Sequence, residues 1–322
     1  MNNTTSLFIT DPLHALNPKK DTTILWMQEI SAQGGQVFQC EMSDLIYSDG
    51  LTQAMASEIP DTLSQPQTAN ASDGLIPLNE FNYVFMRKDP PVDENYMNAL
   101  HLLSQAKHEG AKVMNDPDAL KIFNEKVFAL RFSQWMTDTQ VICKEDDLLN
   151  FKNKYQIIIL KPLDGMGGES IYKFEEITAV HLKIFKDLTN NYQTMVMVQN
   201  FLPEIYEGDY RILIINGKPF PMTLARIPQG NNFKGNLAAG GKGEARPLNP
   251  KQQEVGEAIG DLLLAEGITF AGIDMIGDFL TEINVTSPTG AREILEQTQQ
   301  NPIQALLELS LIHISEPTRR EG

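Results

Sequence analysis

The chain has 322 residues, 42% of them hydrophobic, and a formal net charge of −16 at pH 7. That apolar share is too high for a disordered chain, and the length suffices for two or three lobes. The acidic balance argues against a general nucleic-acid binder, and no apolar run is long enough to cross a bilayer, so neither nucleic acid nor membrane is an expected partner.

The opening residues, MNNTTSLFIT, lack the basic start and long apolar core of a signal peptide. Cys40 and Cys143 form no C-x-x-C. Both features point to the cytoplasm, with unpaired thiols. In chain order, 7–10 reads as a first strand. Asp21 or Thr22 caps a helix that runs through Trp26 and Ile30 and stops at Gly34-Gly35. A second strand spans 37–40. The segment 48–79, rich in Ser, Thr, Gln, Pro and Asp, reads as a long surface excursion. A third strand covers 81–87, Asp93 caps a helix through Leu100 and Leu103 to Gly110, and 112–115 is a fourth strand. Such repeats predict an open, mostly parallel sheet in an α/β chain, with a first domain over 1–120.

A small lobe is expected over 121–202. Asp116-Pro117 is a cap followed by proline at the first helical position. Asn124 caps a helix over 125–134, with Lys126 in its first turn, where a cation opposes the helix dipole. Strands near 140–143, 157–161, 170–174 and 194–199 alternate with helices near 146–154 and from Thr178 through Leu188. A third lobe over 203–310 opens with a hairpin around Asn216-Gly217, which carries Arg211 and Arg226. The stretch 227–248 has no periodicity, five glycines, and Lys234 and Lys242. Such a loop is a candidate lid over anionic groups, at 227–243, or simply a surface insertion. Asn249-Pro250 then starts a helix through Gly267.

Two segments carry the chemistry. In YQIIILKPLDGMGGES, 155–170, an apolar strand delivers Lys161 to its exit beside Gly165, Gly167 and Gly168. The ammonium supplies charge, and glycines let backbone N–H groups approach phosphate oxygens. The same pattern also suits an ordinary turn, since it is neither a Walker A loop nor G-x-G-x-x-G. In FAGIDMIGDFLTEINV, 270–285, a Gly277-Asp278 turn joins two strands bearing Asp274, Glu282 and Asn284. Glu282 and Asn284 share one face, and hard oxygen atoms on one face suit Mg²⁺. A solvated polar face is the alternative. A two-residue loop alone would put Asp274 opposite Thr281; a three-residue loop over 277–279, or an equivalent bulge, puts it opposite Glu282 and is expected.

With LKPLDGMGG at 160–168, RIPQG at 226–230, GNLAAGG at 235–241, GDFLTEINVTSPT at 277–289, MRKDPP at 86–91 and NEKVFAL at 124–130, the chain resembles prokaryotic glutathione synthetase over about 6–310. The resemblance implies an ATP-grasp fold and an ATP-dependent ligase. It would join γ-glutamylcysteine to glycine through an acyl phosphate, as a homotetramer, with Mg²⁺ or Mn²⁺. It assigns Lys126 and Lys161 to the ATP phosphates, Gly165, Gly167 and Gly168 to the loop over them, Gln199, Asn200 and Leu202 to the adenine edge, and Asp209 to the ribose. Asp274, Glu282 and Asn284 would hold the metal. Arg87, Arg211 and Arg226 would surround the substrate carboxylates and the transferred phosphoryl group, with Asn284, Ser287 and the lid residues Lys234 and Lys242 beside the substrates. The chain departs from the family pattern where arginine is expected at Lys234 and Lys242 and cysteine at Gly290. The last residues, 311–322, look foreign to the family and read as a non-native tail. Another ATP-grasp carboxylate–amine ligase, or a nucleotide-binding regulator without turnover, stays open at this point.

Overall fold

Alternation of apolar and polar residues along short strands sets the N-terminal sheet. The computed structural model describes residues 4–60, 62, 69–70, 74–88, 91–164, 170–230, 232–235 and 240–314. The first part of the chain contains β1 (Thr5–Ile9), α1 (Thr22–Ala32), β2 (Gln36–Cys40), β3 (Leu45–Ser48), β4 (Leu51–Met55), β5 (Ser57–Glu58), β6 (Leu75–Pro77), β7 (Tyr83–Met86), α2 (Glu94–His108), β8 (Val113–Met114) and α3 (Pro117–Ile122). The sheet order is β5-β2-β1-β7-β8, parallel except for the β5 edge. Asp21 caps α1 by accepting from Thr23 N at 2.6 Å and Ile24 N at 3.1 Å. Successive strand residues serve opposite faces. Leu7, Ile9, Val84 and Met86 pack with Tyr96, Leu100 and Leu103 of α2. Phe8 and Phe85 pack with Ile24, Trp26 and Met27 of α1. The two helices therefore cover opposite faces, and the windings diverge at β1 and β7.

The expected surface excursion over 48–79 needs correction. β3, β4 and β6 form a three-stranded antiparallel sheet, β5 extends the main sheet, and Ala54, Ala56 and Ile59 are buried. The segment's polar groups find protein partners. Thr52 donates from N and Oγ1 to the Glu109 carboxylate, and Gln53 Nε2 donates to Ser48 O.

The middle of the chain contains β9 (Thr139–Ile142), α4 (Glu145–Lys152), β10 (Ile158–Pro162), β11 (Tyr172–Phe174), α5 (Ala179–Leu188) and β12 (Val196–Asn200), with an antiparallel sheet of order β11-β10-β12-β9. The α-helix expected over 125–134 does not form. Asn124 does cap a turn, accepting from Lys126 N and Val127 N, but a 3-10 helix then runs over Phe128–Trp135, broken at Phe132. The reason is tertiary: Glu125 O, which an α-helix would give to residue 129, instead accepts from Ile283 N at 3.0 Å.

The last part contains β13 (Asp209–Ile215), β14 (Lys218–Ile227), β15 (Lys242–Pro247), α6 (Pro250–Ala265), β16 (Phe270–Ile276), β17 (Phe279–Asn284), α7 (Ala291–Thr298) and α8 (Pro302–Ile314). Its antiparallel sheet has order β15-β14-β13-β16-β17. The β13–β14 turn has positive φ at Asn216 and Gly217, as the Asn-Gly pair predicts. Gly290 also has positive φ, +110°, where the family pattern leads one to expect cysteine; a side chain there would be strained. Among the described residues no helix is long and apolar enough to cross a membrane.

One buried side chain fastens the N-terminal sheet to the C-terminal one. Asn115 Oδ1 accepts from Thr269 N and Phe270 N, and its Nδ2 donates to Phe270 O at 2.7 Å and Val285 O at 3.0 Å. Alanine there would strand four backbone groups. Asn115→Ala is expected to cost about 3–5 kcal/mol, read as a lowered denaturant midpoint; a loss below about 1 kcal/mol would refute this account of the joint.

Candidate active site

A bulge in the last hairpin creates the site. The turn has two residues, since Ile276 pairs with Phe279 and Met275 with Leu280, and the register then shifts so that Asp274 faces Glu282. Thr281 is the extra residue, and its Oγ1 donates to Asp274 O at 3.0 Å. The expected Asp274–Glu282 register thus arises by the bulge and not by a three-residue loop. Ile273, Met275, Ile283 and Val285 fill the core on the other face. Asn284 Nδ2 donates to Asp274 Oδ2 at 3.3 Å, which gathers Asp274, Glu282 and Asn284.

Two lysines approach this face from the middle sheet and its leading loop. Lys126 Nζ lies 3.1 Å from Glu282 Oε1, held there by the Glu125–Ile283 backbone bond. Lys161 stands on β10, where Ile158 and Leu160 enter the core while Ile159 and Lys161 turn to the cleft. Its Nζ donates to Thr281 O at 3.5 Å. Burial lowers the Lys161 ammonium to about 8; Glu282 pulls it up and Lys126 pushes it further down.

Beneath them, cross-strand register builds a ladder of arginines and aspartates. Asp209 pairs with Arg226 and Arg211 with Asp274 across neighbouring strands. Arg211 grips both oxygens of Asp274, the Nη2–Oδ2 contact being 2.9 Å. Arg226 Nη2 bridges Asp209 Oδ2 at 2.6 Å and Asp274 Oδ2 at 2.8 Å. Burial works against the charge on Asp274, but Arg211 and Arg226 outweigh it and hold the carboxyl well below the usual range. At Asp209 burial prevails: it pushes the carboxyl up to about 6, with Asp274 adding to the rise and Arg226 opposing it. Asp209 Oδ1 is buried and finds no partner among the described residues. Gly235 closes against this ladder, because a Cβ there would lie 2.4 Å from Arg226 O.

The cleft above has about 890 Å³ of empty space, open solvent included. Its charged end is lined by Lys126, Lys161, Asp209, Asp274, Glu282 and Lys234; its apolar end by Ile159, Phe201 and Leu202, next to Gln199 and Asn200 at the end of β12. Five cations (Lys126, Lys161, Lys234, Arg211, Arg226) stand against three acids (Asp209, Asp274, Glu282). An acidic chain thus carries a locally cationic pocket, suited to a polyanion with an apolar head.

Other expected site residues lie elsewhere. Arg87 is buried against Trp26 and Phe270, with Nε donating to Thr23 Oγ1 and Nη2 to Pro288 O, and Ser287 Oγ donates to Arg87 O. Neither lines the cleft. Lys242 begins β15, is exposed, and pairs with Glu244, so it too is away from the cleft. Gly165, Gly167 and Gly168, part of the lid (231 and 236–239), and 315–322 of the tail lie outside the described residues. Sequence reading missed Thr281 and Gly235; the extra residue implied by the hairpin register was the available signal for the first.

The donor set fits a hard divalent cation. Among the described residues no three His, Cys, Asp or Glu side chains gather to hold a metal by themselves. Two carboxylates and one amide do gather, and phosphate oxygens with water would complete a six-oxygen shell.

Comparisons with known proteins agree with this geometry. Residues 5–121 match the family model for the N-terminal domain of prokaryotic glutathione synthetase, and 125–299 match that for its ATP-grasp domain. The chain is 41% identical over 300 residues to a glutathione synthetase of Nitrosomonas europaea, covering 91% of this chain and 93% of the relative. It is 41% identical over 289 residues to that of Pseudomonas aeruginosa, covering 89% and 90%. Among solved structures, the D-cycloserine synthetase DcsG superposes with TM-score 0.66 at 13% identity, covering 97% of this chain and 100% of the other. The ATP-grasp ligase PsnB gives 0.61 at 15%, covering 98% and 100%. At such identities these two speak for the fold alone.

Proposed function

We infer the roles of individual residues from one premise: the chain belongs to the prokaryotic glutathione synthetase family. It has the ATP-grasp fold, and its function is the ATP-dependent ligation of γ-glutamylcysteine and glycine to glutathione, with a divalent cation. The observation that carries the site reading is the meeting of Lys126 and Lys161 with Asp274 and Glu282 across one cleft.

A carboxylate does not react with an amine at useful rates near neutral pH, so the cysteinyl carboxylate is first phosphorylated by ATP. Lys126 and Lys161 hold the phosphates, and the apolar end beside Gln199, Asn200 and Leu202 takes the adenine. Asp209, with its free oxygen, accepts from the ribose. Arg211 and Arg226 neutralise charge that develops during phosphoryl transfer, while Gly165, Gly167, Gly168 and the 227–243 lid, through Lys234, cover the acyl phosphate and exclude water. Asp274, Glu282 and Asn284 would hold Mg²⁺, with Mn²⁺ as a substitute. When bound, that ion supplies charge neutralisation at the phosphate oxygens. Arg87 and Ser287 sit on the substrate side, where Ser287 braces the Arg87 backbone. The working division is a substrate-side domain over 1–120, a nucleotide lobe over 121–202, and a metal and lid lobe over 203–310. The family likeness also supports a cytoplasmic homotetramer.

The test is ADP release by the purified protein with Mg²⁺. Release is expected with γ-glutamylcysteine plus glycine. Release only with D-alanine pairs would make it another carboxylate–amine ligase, and nucleotide binding without release a regulator.

A further inference from the structure

The cleft holds an amide whose orientation is fixed from outside the pocket. Gln199 stands on β12, opposite Ile159 of β10 and Thr139 of β9. All three lie on the cleft-side face of the middle sheet, because Ile142, Ile158, Leu160, Val196 and Val198 fill the core on the other face. Gln199 is 5% exposed and lines the cleft beside Ile159 and Leu202. Thr139 is half-buried and is not part of the lining. Two hydrogen bonds decide which way the amide points. Thr139 Oγ1 donates to Thr137 O at 2.7 Å. A hydroxyl has one proton, so while that bond is kept the same oxygen can only accept from Gln199, whose Nε2 lies 2.9 Å away. An amide turned end for end would set its oxygen against a hydroxyl lone pair. Gln199 Oε1 is therefore the atom left for the cleft, and it accepts from no group among the described residues.

An acceptor held still at the apolar end of the cleft discriminates among purines. Adenine carries an exocyclic amine, which donates. Hypoxanthine and guanine carry a carbonyl oxygen on the same carbon, and that would put acceptor against acceptor in a largely buried place. Resting on the function inferred above, we propose that Thr139 is a positioning residue for nucleotide choice. It holds the Gln199 amide with Oε1 toward the base, so the cleft takes an amino purine and refuses a keto purine. The phosphate end plays no part in this choice, since Lys126 and Lys161 meet the same triphosphate whatever the base. Thr139→Val keeps the branched shape and removes the acceptor. Nε2 of Gln199 then has nothing to hold it, and the amide can turn to offer N–H to a carbonyl oxygen.

Steady-state kinetics with γ-glutamylcysteine and glycine, run with ATP and with ITP, tests this. The unaltered protein is expected to favour ATP over ITP at least about a hundredfold in kcat/KM. Thr139→Val should narrow that ratio at least about tenfold, with kcat for ATP and the KM values for γ-glutamylcysteine and glycine within about threefold of the unaltered protein. Thr139→Ser, which keeps the hydroxyl, should restore the ratio to within about threefold. A threonine that merely ties β9 to β12 would lower the denaturant midpoint and leave the ratio where it was. Three results would therefore overturn the proposal: equal use of ATP and ITP by the unaltered protein, an unchanged ratio in Thr139→Val, or a ratio in Thr139→Ser as small as in Thr139→Val. If Thr139→Val does not fold, calorimetric titration of ADP and IDP into the unaltered protein and Thr139→Ser decides it. ADP should bind at least about tenfold more tightly to both, and equal affinities in either would overturn the proposal. Failure of the unaltered protein to release ADP with ATP, γ-glutamylcysteine and glycine would instead refute the function itself.

Discussion

Glu282→Gln is expected to lower turnover at least about a hundredfold while leaving the chain folded. Glu282 sits opposite Asp274 only because the hairpin is bulged, and it lies 3.1 Å from Lys126 Nζ. The amide keeps shape and volume but removes the charge that both the lysine and a divalent cation would face. The substitution therefore acts on phosphoryl transfer and not on packing, since the side chain is 21% exposed. Two measurements check this: kcat at saturating ATP and Mg²⁺, and the thermal midpoint. Near-normal turnover would sink the assigned role. A large drop in the midpoint would instead show that the side chain acts chiefly in folding. The concentration of Mg²⁺ needed for half-maximal rate should rise in the same variant.

Lys161→Met is expected to abolish useful turnover and yet stabilise the nucleotide-free chain. Lys161 is 7% exposed, and its one hydrogen bond among the described residues reaches Thr281 O at 3.5 Å. Burial holds it at about 8 against 10.5 for an unburied lysine, so the charged form is disfavoured in the folded state. The sign follows from linkage. Below about pH 8 both folded and unfolded chains carry the proton, and the burial cost is fully present. Above it the folded chain sheds the proton while the unfolded chain keeps it to about 10.5, so the cost fades over that window. Methionine fills similar space without charge. The gain should be of order 3 kcal/mol at pH 7, from the kcal/mol equivalent of the shift, and largely vanish near pH 10.5. Denaturant midpoints at the two pH values decide it; a destabilised variant at pH 7 would contradict the reading. A lysine kept at such cost is what a phosphate site requires, because the incoming anion supplies the missing partner.

Much of this was legible in the residues. The parallel N-terminal sheet, the Asn216-Gly217 hairpin and the Asp274–Glu282 register all follow from local alternation and turn chemistry, which a one-dimensional string carries. What failed depended on distant partners. The 48–79 segment looked like loop because its Thr and Gln are polar, yet Glu109 satisfies Thr52 from another element. The helix at 125–134 keeps the bond from Phe128 N to Asn124 O but loses the next one, because Glu125 O accepts from Ile283, far along the chain. At the site, Lys126, Lys161, Asp209, Arg211, Arg226 and Asp274 gather as the motifs suggest. Lys242, read as a lid cation, starts a strand instead, because β15 pairs with β14 from that residue onward.

The spacing from Glu282 to Asn284 makes the end of the last hairpin a frame-sensitive segment. Deleting Thr281 would remove the bulge and leave Glu282 facing Asp274, whereas deleting Ile283, or inserting one residue beside it, would turn Asn284 from the phosphate side toward the hydrophobic interior. Length changes of a single residue are therefore far more damaging here than most substitutions. Drift in this stretch should proceed by exchange of side chains at fixed spacing, while gaps and additions accumulate elsewhere.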